Sequence, residues 1–365
     1  MNQLKILVLR LSAVGDVIRT IPIVRVLKEY YPRCHIAWVV EEPSRDLLES
    51  QPEIDEVILF PRKRWTKNLK SMRRLWEVAA EVRQFVLDLK KREFDVVLDF
   101  HGVLKSGFIG FLSGASKRIG YDRRSTKEAN FLFTNLKVRL PRERINRYQR
   151  NVLLLKGLGI EEEKVRPLLA EAFARKLHIA PRECEYVDMF FDRLNAGCQR
   201  PLIAIHPGTS PKWPSKKWMP AQYARLADRL IDELGATILF TWGPGELPEV
   251  ESIQNEMTHP SILGPRTESL TQLAELFRRS DLYVGGDTGP MYAASFMGIP
   301  VVVIYGPTDP VLYEPLGVHK KVRKEVGCNP CRNRSCKELT CLKAVQVDDV
   351  FNAVKETLDS VEAKS

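Results

Sequence analysis

The sequence has no long hydrophobic run, no internal repeat and no low-complexity segment. Its apolar stretches are all shorter than the roughly 18 residues that a membrane-spanning helix needs. The apolar start, Ile6 to Leu9, is interrupted too soon for a signal peptide. We therefore expect a soluble protein that stays in the cytoplasm. With 365 residues, 44% of them hydrophobic, the chain is long enough for two domains of ordinary size.

Two common phosphate-binding motifs are also missing. Neither half opens its first strand-to-helix connection with G-x-G-x-x-G, which argues against a nicotinamide-dependent dehydrogenase, and the G-x-x-x-x-G-K-[ST] loop is absent. What the chain does have is a net charge of +10. An excess of this sign indicates an acidic partner: nucleic acid, anionic lipid or a phosphorylated substrate. Basic residues cluster at Arg62 to Arg74 and at Arg142 to Arg150, either as solvated faces or as part of an anion site in the first half.

Short β-type runs alternate with amphipathic helical patterns along the chain. Clear runs are Lys5 to Arg10, His35 to Val40, Val57 to Phe60, Asp95 to Phe100, Leu202 to His206 and Thr237 to Thr241. This alternation predicts parallel sheets covered by helices. We predict an α/β fold of two Rossmann-like, doubly wound domains, residues 1–178 and 179–345, facing across a cleft. The charged, irregular segment Glu161 to Ile179 is interpreted as the linker. Ligands bind at the carboxyl ends of the strands in such sheets.

The stretch Asp281 to Pro310 combines a strand, a glycine-rich turn, a helix and a second strand. Glycines allow the backbone to approach a ligand closely, and a helix N-terminus favours an anion. The turn therefore suits a phosphate. The alternative is that Asp287 and Thr288 only cap the helix.

Three further polar stretches follow predicted strands. Asp16 follows Gly15 after the first strand, His206 to Pro214 follows the first strand of the second half, and Thr241 to Glu246 follows the next. Each has a plain structural alternative as a helix cap, a loop or a surface turn.

Taken together, these motifs resemble the glycosyltransferase family 9 heptosyltransferases. The resemblance covers K-I-L-V-L-R-L-S-A-V-G-D at the start, P-G-T-S-P-K-W-P after His206, which is similar to the family's P-G-x…K-x-W-P, and W-G-P-G-E after Thr241, which is similar to its W-G-x-x-x-E. It also covers D-T-G with G-x-P and G-P-T-x-P near the end. It implies a GT-B fold and inverting transfer of heptose from ADP-heptose to the Kdo/heptose inner core of lipopolysaccharide. It also implies that catalysis needs no cofactor and that residues 346–365 form a helix packing back on the N-terminal domain.

The resemblance assigns residue roles as well. Asp16 is the expected base, because a sugar hydroxyl is a poor nucleophile until its proton is removed. Lys212 is the expected cation at the departing ADP. The other residues expected to bind the nucleotide sugar are Thr209, Glu246, Asp287, Thr288, Gly289 and Tyr292. Tyr292 departs from the family pattern, which usually has His there, so a cationic role is lost and only a hydrogen bond remains.

An acceptor site is expected in the first domain. Asp99 to Ser106 resembles the family's D-x-Q-G-x-x-K-S, with His101 in place of Gln. The residues expected to hold the acidic lipopolysaccharide core (Kdo-lipid A or its heptosylated form) are Arg62, Arg64, Lys105, Ser106 and Arg123. Such an acceptor also implies peripheral contact with the cytoplasmic face of the inner membrane.

Four of the seven cysteines are close in sequence. Cys328, Cys331, Cys336 and Cys341 form C-x2-C-x4-C-x4-C, which in a cytoplasmic protein indicates either a structural zinc or iron or four free thiols. A cysteine cluster also suits a protein heptosyltransferase, and a non-catalytic sugar-nucleotide-binding protein is a further alternative. Nucleic-acid binding is disfavoured because the segment has no aromatic residue to stack on bases.

Overall fold

The computed structural model describes residues 3–68, 74–194, 199–331 and 333–363. It divides into two compact units, Met1–Ala174 and Arg175–Ser365. The boundary predicted from the sequence, after residue 178, lies about four residues later. Among the described residues, no helix has both the length and the apolarity needed to span a bilayer.

The first unit is built on a parallel sheet. Its strands are β1 (Lys5–Leu9), β2 (His35–Val40), β3 (Glu56–Leu59), β4 (Val96–Asp99), β5 (Lys117–Tyr121) and β6 (Leu136–Val138). Over the described residues they form one six-stranded sheet in the order β3-β2-β1-β4-β5-β6. β1 and β2 are almost continuously apolar and buried, as central strands of a parallel sheet must be when helices cover both faces. The strand order reverses between β1 and β4, which makes that point the switch point of the sheet.

Eight helices connect these strands in the described part of the unit. They are α1 (Val14–Ile18), α2 (Ile21–Tyr30), α3 (Arg45–Glu49), α4 (Arg62–Asn68), α5 (Leu75–Lys91), α6 (Leu104–Leu112), α7 (Arg147–Leu154) and α8 (Glu162–Ala174). α8 occupies most of the segment that the sequence analysis interprets as an irregular linker. It packs on α2, where Arg25 Nη1 donates to the carbonyl of Ala172 over 3.1 Å. That buried contact explains why a charged segment with an internal proline is helical.

The second unit repeats the plan. Its strands are β7 (Leu202–His206), β8 (Thr237–Phe240), β9 (Ile262–Leu263), β10 (Leu282–Gly286), β11 (Val301–Ile304) and β12 (His319–Val322). The described residues form a parallel sheet in the order β12-β11-β10-β7-β8-β9. Here the strand order reverses between β7 and β10. The switch points of the two sheets therefore lie at equivalent positions, next to the first strand of each unit.

The helices of the second unit cover both faces of this sheet. Within the described residues they are α9 (Pro181–Arg193), α10 (Pro220–Leu234), α11 (Leu247–Glu256), α12 (Leu270–Arg278), α13 (Gly289–Phe296), α14 (Thr340–Lys343) and α15 (Val347–Glu362). The core includes Trp218, whose Nε1 donates to the carbonyl of Val345 over 3.0 Å. α15 packs on α10, β11 and β12, with Val350 and Val354 fully buried. This helix belongs to the second unit, and its packing on the first domain stays a prediction.

Candidate active site

The second unit gathers polar groups where β10 ends and α13 begins. Asp287 directly follows β10 and is 3% exposed, and Thr288 is the N-cap residue of α13 in an extended conformation. Gly289 is the first helical residue. The turn predicted from the glycine-rich sequence is therefore present, with the positive end of a helix dipole at the switch point of the sheet.

A lysine that is not predicted from the sequence reaches this turn from the loop after β7. Lys216 Nζ is 2.8 Å from Asp287 Oδ2, and its side chain is only 13% exposed. The ammonium also lies 5.0 Å from the centroid of the Trp213 ring and 5.7 Å from that of Tyr313. These contacts hold one positive charge at the start of α13.

Lys212, the cation predicted from the sequence, occupies a different environment. Its side chain is exposed, and its backbone N donates to Ser210 Oγ over 3.4 Å. The sequence offers two Lys-Trp spacings in this loop, Lys212-Trp213 and Lys216-Lys217-Trp218. Trp218 is 1% exposed and anchors the second spacing. The signal in the sequence that could have identified Lys216 is therefore its position next to a tryptophan that is buried.

Thr209 contributes a hydroxyl after β7. The residue is 6% exposed, and its Oγ1 has no hydrogen-bond partner among the described residues. A buried hydroxyl without a partner is costly, by about 1–3 kcal/mol, unless a ligand satisfies it. β7 and β10 are neighbours, so Thr209 lies at the same edge of the sheet as Asp287.

Glu246 is held against the same loop. Its Oε2 accepts from Gly243 N over 2.7 Å and lies 3.4 Å from His206 Nε2, while His206 Nδ1 is 3.0 Å from Thr241 Oγ1. Burial alone would raise the pKa of Glu246, but the contacts with His206 and the Gly243 N–H outweigh it and lower that pKa. A Cβ on Gly208 would lie 2.1 to 2.4 Å from the three carboxyl atoms of Glu246, so a larger residue there would displace that carboxylate.

Tyr292 lies beneath the turn and is 2% exposed. Its hydroxyl is 2.9 Å from the Tyr313 carbonyl and 3.3 Å from Asp287 Oδ1. Tyr305 donates to the same carbonyl over 2.9 Å. In this position the Tyr292 hydroxyl supports Asp287 and the loop that carries Tyr313. A hydrogen bond is also the role that the sequence predicts for this residue.

In the first unit, Asp16 lies in the first turn of α1, directly after β1. Its carboxylate pairs with both Arg10 and Arg19, and its side chain is 25% exposed. Burial would raise the pKa of Asp16, but the charges of Arg10, Arg19 and Arg147 outweigh burial and hold it far below its ordinary value. The carboxylate is thus ionised at any physiological pH and is a weak base.

The loop after β4 is organised by a buried carboxylate. Asp99 accepts from Gly102 N, from Asn130 Nδ2 and from Ser106 Oγ, the last over 2.9 Å. Ser106 is completely buried. Its hydroxyl holds the loop and the start of α6, a geometry that favours a structural role, and contact between Ser106 and the acceptor stays a prediction.

His101 is neutral at physiological pH. Burial, together with the nearby Arg10 and Lys105, lowers the pKa of its imidazole to about 3. Its Nδ1 accepts from the backbone N–H of Leu11 over 3.2 Å, which ties the loops after β1 and β4 to each other. His101 therefore has a structural role at the switch point.

The predicted acceptor cations are dispersed. Arg62 and Lys105 both pair with Glu41, at 3.0 and 2.6 Å, and so lie next to each other. Arg64 pairs instead with Glu81 on α5, over 2.7 Å. Arg123 lies over the Phe131 ring, 5.6 Å from its centroid. The structure thus brings Arg62 and Lys105 together and turns Arg64 towards another helix.

The four clustered cysteines do not form a recognisable metal site. Cys341 is buried, Cys331 and Cys336 are half-buried, and Cys328 is exposed, and all four are free thiols. In the part of the chain that the structure describes, no group of three or more His, Cys, Asp or Glu side chains is placed to hold a metal ion. The structural zinc or iron considered from the sequence is therefore unsupported.

The chain is similar to known proteins over nearly its whole length. It is 26% identical over 340 residues to lipopolysaccharide heptosyltransferase 1 of Pseudomonas aeruginosa, covering 91% of this chain and 87% of that protein. A family 9 glycosyltransferase structure from Veillonella parvula superposes with a TM-score of 0.75 at 23% identity, covering 98% and 97% of the two chains. The structure of E. coli ADP-heptose LPS heptosyltransferase II gives 0.74 at 21% identity, covering 98% and 100%.

These similarities agree with the two doubly wound units and the groups at their switch points. The protein is a glycosyltransferase with the α/β GT-B fold. It belongs to glycosyltransferase family 9, the heptosyltransferases, whose family model matches residues 82–342. The family resemblance drawn from the sequence motifs is thereby confirmed.

Proposed function

We propose that this enzyme transfers heptose from ADP-heptose to the Kdo/heptose inner core of lipopolysaccharide, with inversion at the anomeric carbon. The observation that carries the proposal is the turn between β10 and α13. Three groups there suit the diphosphate of a nucleotide sugar: the half-buried ammonium of Lys216, the unpartnered hydroxyl of Thr209 and the N-terminus of α13. The names of the similar proteins, lipopolysaccharide heptosyltransferase 1 and ADP-heptose LPS heptosyltransferase II, support this donor and acceptor.

In the proposed mechanism the second unit binds the donor. Lys216 and the α13 N-terminus, at Thr288 and Gly289, neutralise the charge that develops on ADP as the glycosidic bond breaks. Asp287 and Glu246 are carboxylates and accept hydrogen bonds from hydroxyl groups of the nucleotide sugar. Lys212, at the exposed end of the loop, is assigned a secondary role.

The first unit supplies the base. The acceptor hydroxyl oxygen attacks the anomeric carbon, the bond from that carbon to the ADP oxygen breaks, and ADP leaves with the bonding electron pair. The hydroxyl proton passes to the carboxylate of Asp16. Because Arg10 and Arg19 make Asp16 a weak base, the proton moves late, when the attacking oxygen has become strongly acidic.

The acidic acceptor is bound by cations of the first unit. Arg62 and Lys105 share Glu41, so part of their charge is compensated and part is left for a ligand. Carboxylates of Kdo and phosphates of the lipid anchor are suitable partners. Arg123 is a third candidate, whereas Arg64 must first leave Glu81 to take part.

The test is transfer of labelled heptose from ADP-heptose to Kdo-lipid A and to its heptosylated form. Asp16→Asn should lower turnover by about 10²–10⁴-fold and leave ADP binding unchanged. Asp88→Asn makes the same chemical change on the exposed face of α5 and serves as the control. Substantial transfer by Asp16→Asn would refute the assignment of the base. Binding of ADP-heptose without transfer to any acceptor would indicate a non-catalytic binding protein.

A further inference from the structure

The first unit exposes an apolar face that its own fold leaves uncovered. It consists of Leu104, Phe108 and Phe111 on α6, together with Leu132 and Leu136, and each of these side chains is between 39% and 69% exposed. Residues 104, 108 and 111 follow the i, i+4, i+7 spacing of one helix face. We call these five residues the aromatic face.

The members of this face are fixed by their neighbours. Phe133 makes edge-to-face contacts with both Phe108 and Phe111, at centroid distances of 5.8 and 6.0 Å. α6 thereby packs beside the short turn Asn130–Leu132, which carries Leu132. Eleven large hydrophobic side chains are exposed among the described residues, and five of them lie in this one segment. Such clustering indicates an interaction surface, since exposed apolar residues are otherwise scattered singly.

The surroundings of the aromatic face are strongly basic. From residue 104 to residue 139 the sequence has eight Lys or Arg residues and two acidic ones, Asp122 and Glu128. Arg118 lies over the Phe111 ring, and Lys137 over the Phe131 ring, at 5.5 and 5.8 Å from the centroids. The cations therefore border the apolar side chains directly.

This combination selects one kind of partner. A second copy of the chain would bring two surfaces of the same charge together, which is unfavourable. A bilayer containing anionic lipids satisfies both features, because the apolar side chains enter the boundary between headgroups and acyl chains while the cations meet the lipid phosphates. We propose that the aromatic face is the membrane-docking surface of this enzyme and that it binds anionic bilayers.

The face is also placed to serve catalysis. α6 begins directly after the loop that carries His101, and Arg10, the partner of Asp16, donates to the Phe100 carbonyl of that loop over 2.7 Å. Lys105, on the first turn of the same helix, belongs to the proposed acceptor site. This part of the inference rests on the proposed function: docking through α6 keeps a lipid-linked acceptor in the bilayer while its sugar reaches the base.

The experiment is sedimentation of the full chain with vesicles of phosphatidylcholine alone and of phosphatidylcholine with phosphatidylglycerol. The wild type should bind the anionic vesicles, and the binding should weaken as salt is added. Phe108→Ser with Phe111→Ser should reduce the bound fraction by about tenfold or more. The matched control is Met189→Ser with Val318→Ser, two comparably exposed apolar residues of the second unit, which should bind as the wild type does.

Lys127→Gln with Lys137→Gln tests the charge separately, should the phenylalanine variant fail to fold by circular dichroism. This lysine variant should bind the anionic vesicles more weakly than the wild type does, and its binding to vesicles of phosphatidylcholine alone should be unchanged. Equal binding to both vesicle types, or undiminished binding by a folded phenylalanine variant, would overturn the proposal. A change of oligomeric state in that variant, with vesicle binding intact, would identify the face as a contact between copies and would overturn it as well.

Vesicle binding needs neither donor nor turnover, so its failure is distinct from failure of the proposed transferase activity. If both hold, the phenylalanine variant should lose transfer to Kdo-lipid A in vesicles and retain transfer to the soluble sugar part of the acceptor.

Discussion

The substitution Gly208→Ala, which adds one methyl group, should remove the contact between Glu246 and the donor and so weaken donor binding. The Cβ of alanine would lie 2.1 Å from Oε2, 2.2 Å from Cδ and 2.4 Å from Oε1 of Glu246, far inside van der Waals contact. The carboxylate must therefore move, which breaks its hydrogen bond with Gly243 N and its contact with His206. A hydrogen bond to a charged group is worth about 1.5–3 kcal/mol. If Glu246 holds a donor hydroxyl, Gly208→Ala should weaken ADP-heptose binding by roughly 10–100-fold.

A double-mutant cycle separates this clash from a general effect on the loop. Glu246→Ala removes the carboxylate, so adding Gly208→Ala to it should cost little more. Gly327→Ala is the control, because a Cβ at that position meets no atom within 4 Å. Affinity for ADP and for ADP-heptose is measured by calorimetry, and kcat/KM by the transfer assay. Wild-type affinity in Gly208→Ala, or the same loss with and without Glu246, would refute the reasoning.

Three further predictions follow from the two sites. Lys216→Ala should lower ADP affinity and kcat by about 10²-fold, whereas Lys212→Ala should have a small effect; the reverse order, seen by calorimetry and kinetics, would restore the cation chosen from the sequence. Ser106→Ala should cost about 1–3 kcal/mol of unfolding free energy, since Asp99 loses a buried donor, and leave KM for the acceptor unchanged; a raised acceptor KM in a stable variant would contradict the structural role. The lowered pKa of Asp16 means that its carboxylate stays ionised, and its contribution to stability persists, until the pH falls well below about 4. A kcat/KM profile of the wild type should therefore show no loss attributable to protonation of Asp16 between about pH 7 and pH 5. An NMR titration that follows a carbon label on the Asp16 carboxyl and finds its protonation in that pH range would disprove this prediction.

The sequence is sufficient for the central strands of both units, whereas the outer strands Lys117–Tyr121, Leu136–Val138 and His319–Val322 are not among the predicted runs. The runs at Lys5 to Arg10 and Leu202 to His206 are apolar enough to be central strands, and polar residues after them mark the binding edge. It is less informative for elements whose stability comes from tertiary contacts. α8 is charged and contains Pro167, and its helical state depends on packing against α2.

Where the geometry departs from what the motifs suggest, one physical cause recurs. Motif matching identifies a residue type at a spacing, but burial and pairing decide what its side chain can touch. Lys212 and Lys216 differ by four positions, and the anchoring of Trp218 decides which ammonium meets Asp287. Ser106 lies inside a matched motif and yet has no exposed surface. The Cys328–Cys341 spacing suits a metal, but the fold leaves its four thiols with different environments.

Both units carry their polar groups at the point where the strand order of the sheet reverses. Under the proposed assignments, the residues that determine donor specificity and those that determine acceptor specificity lie in separate halves of the chain. Substitutions within residues 62–139 can then redirect the enzyme to a new recipient and leave the handling of ADP-heptose intact. Such independence gives one scaffold a simple route to building successive sugars of a branched chain.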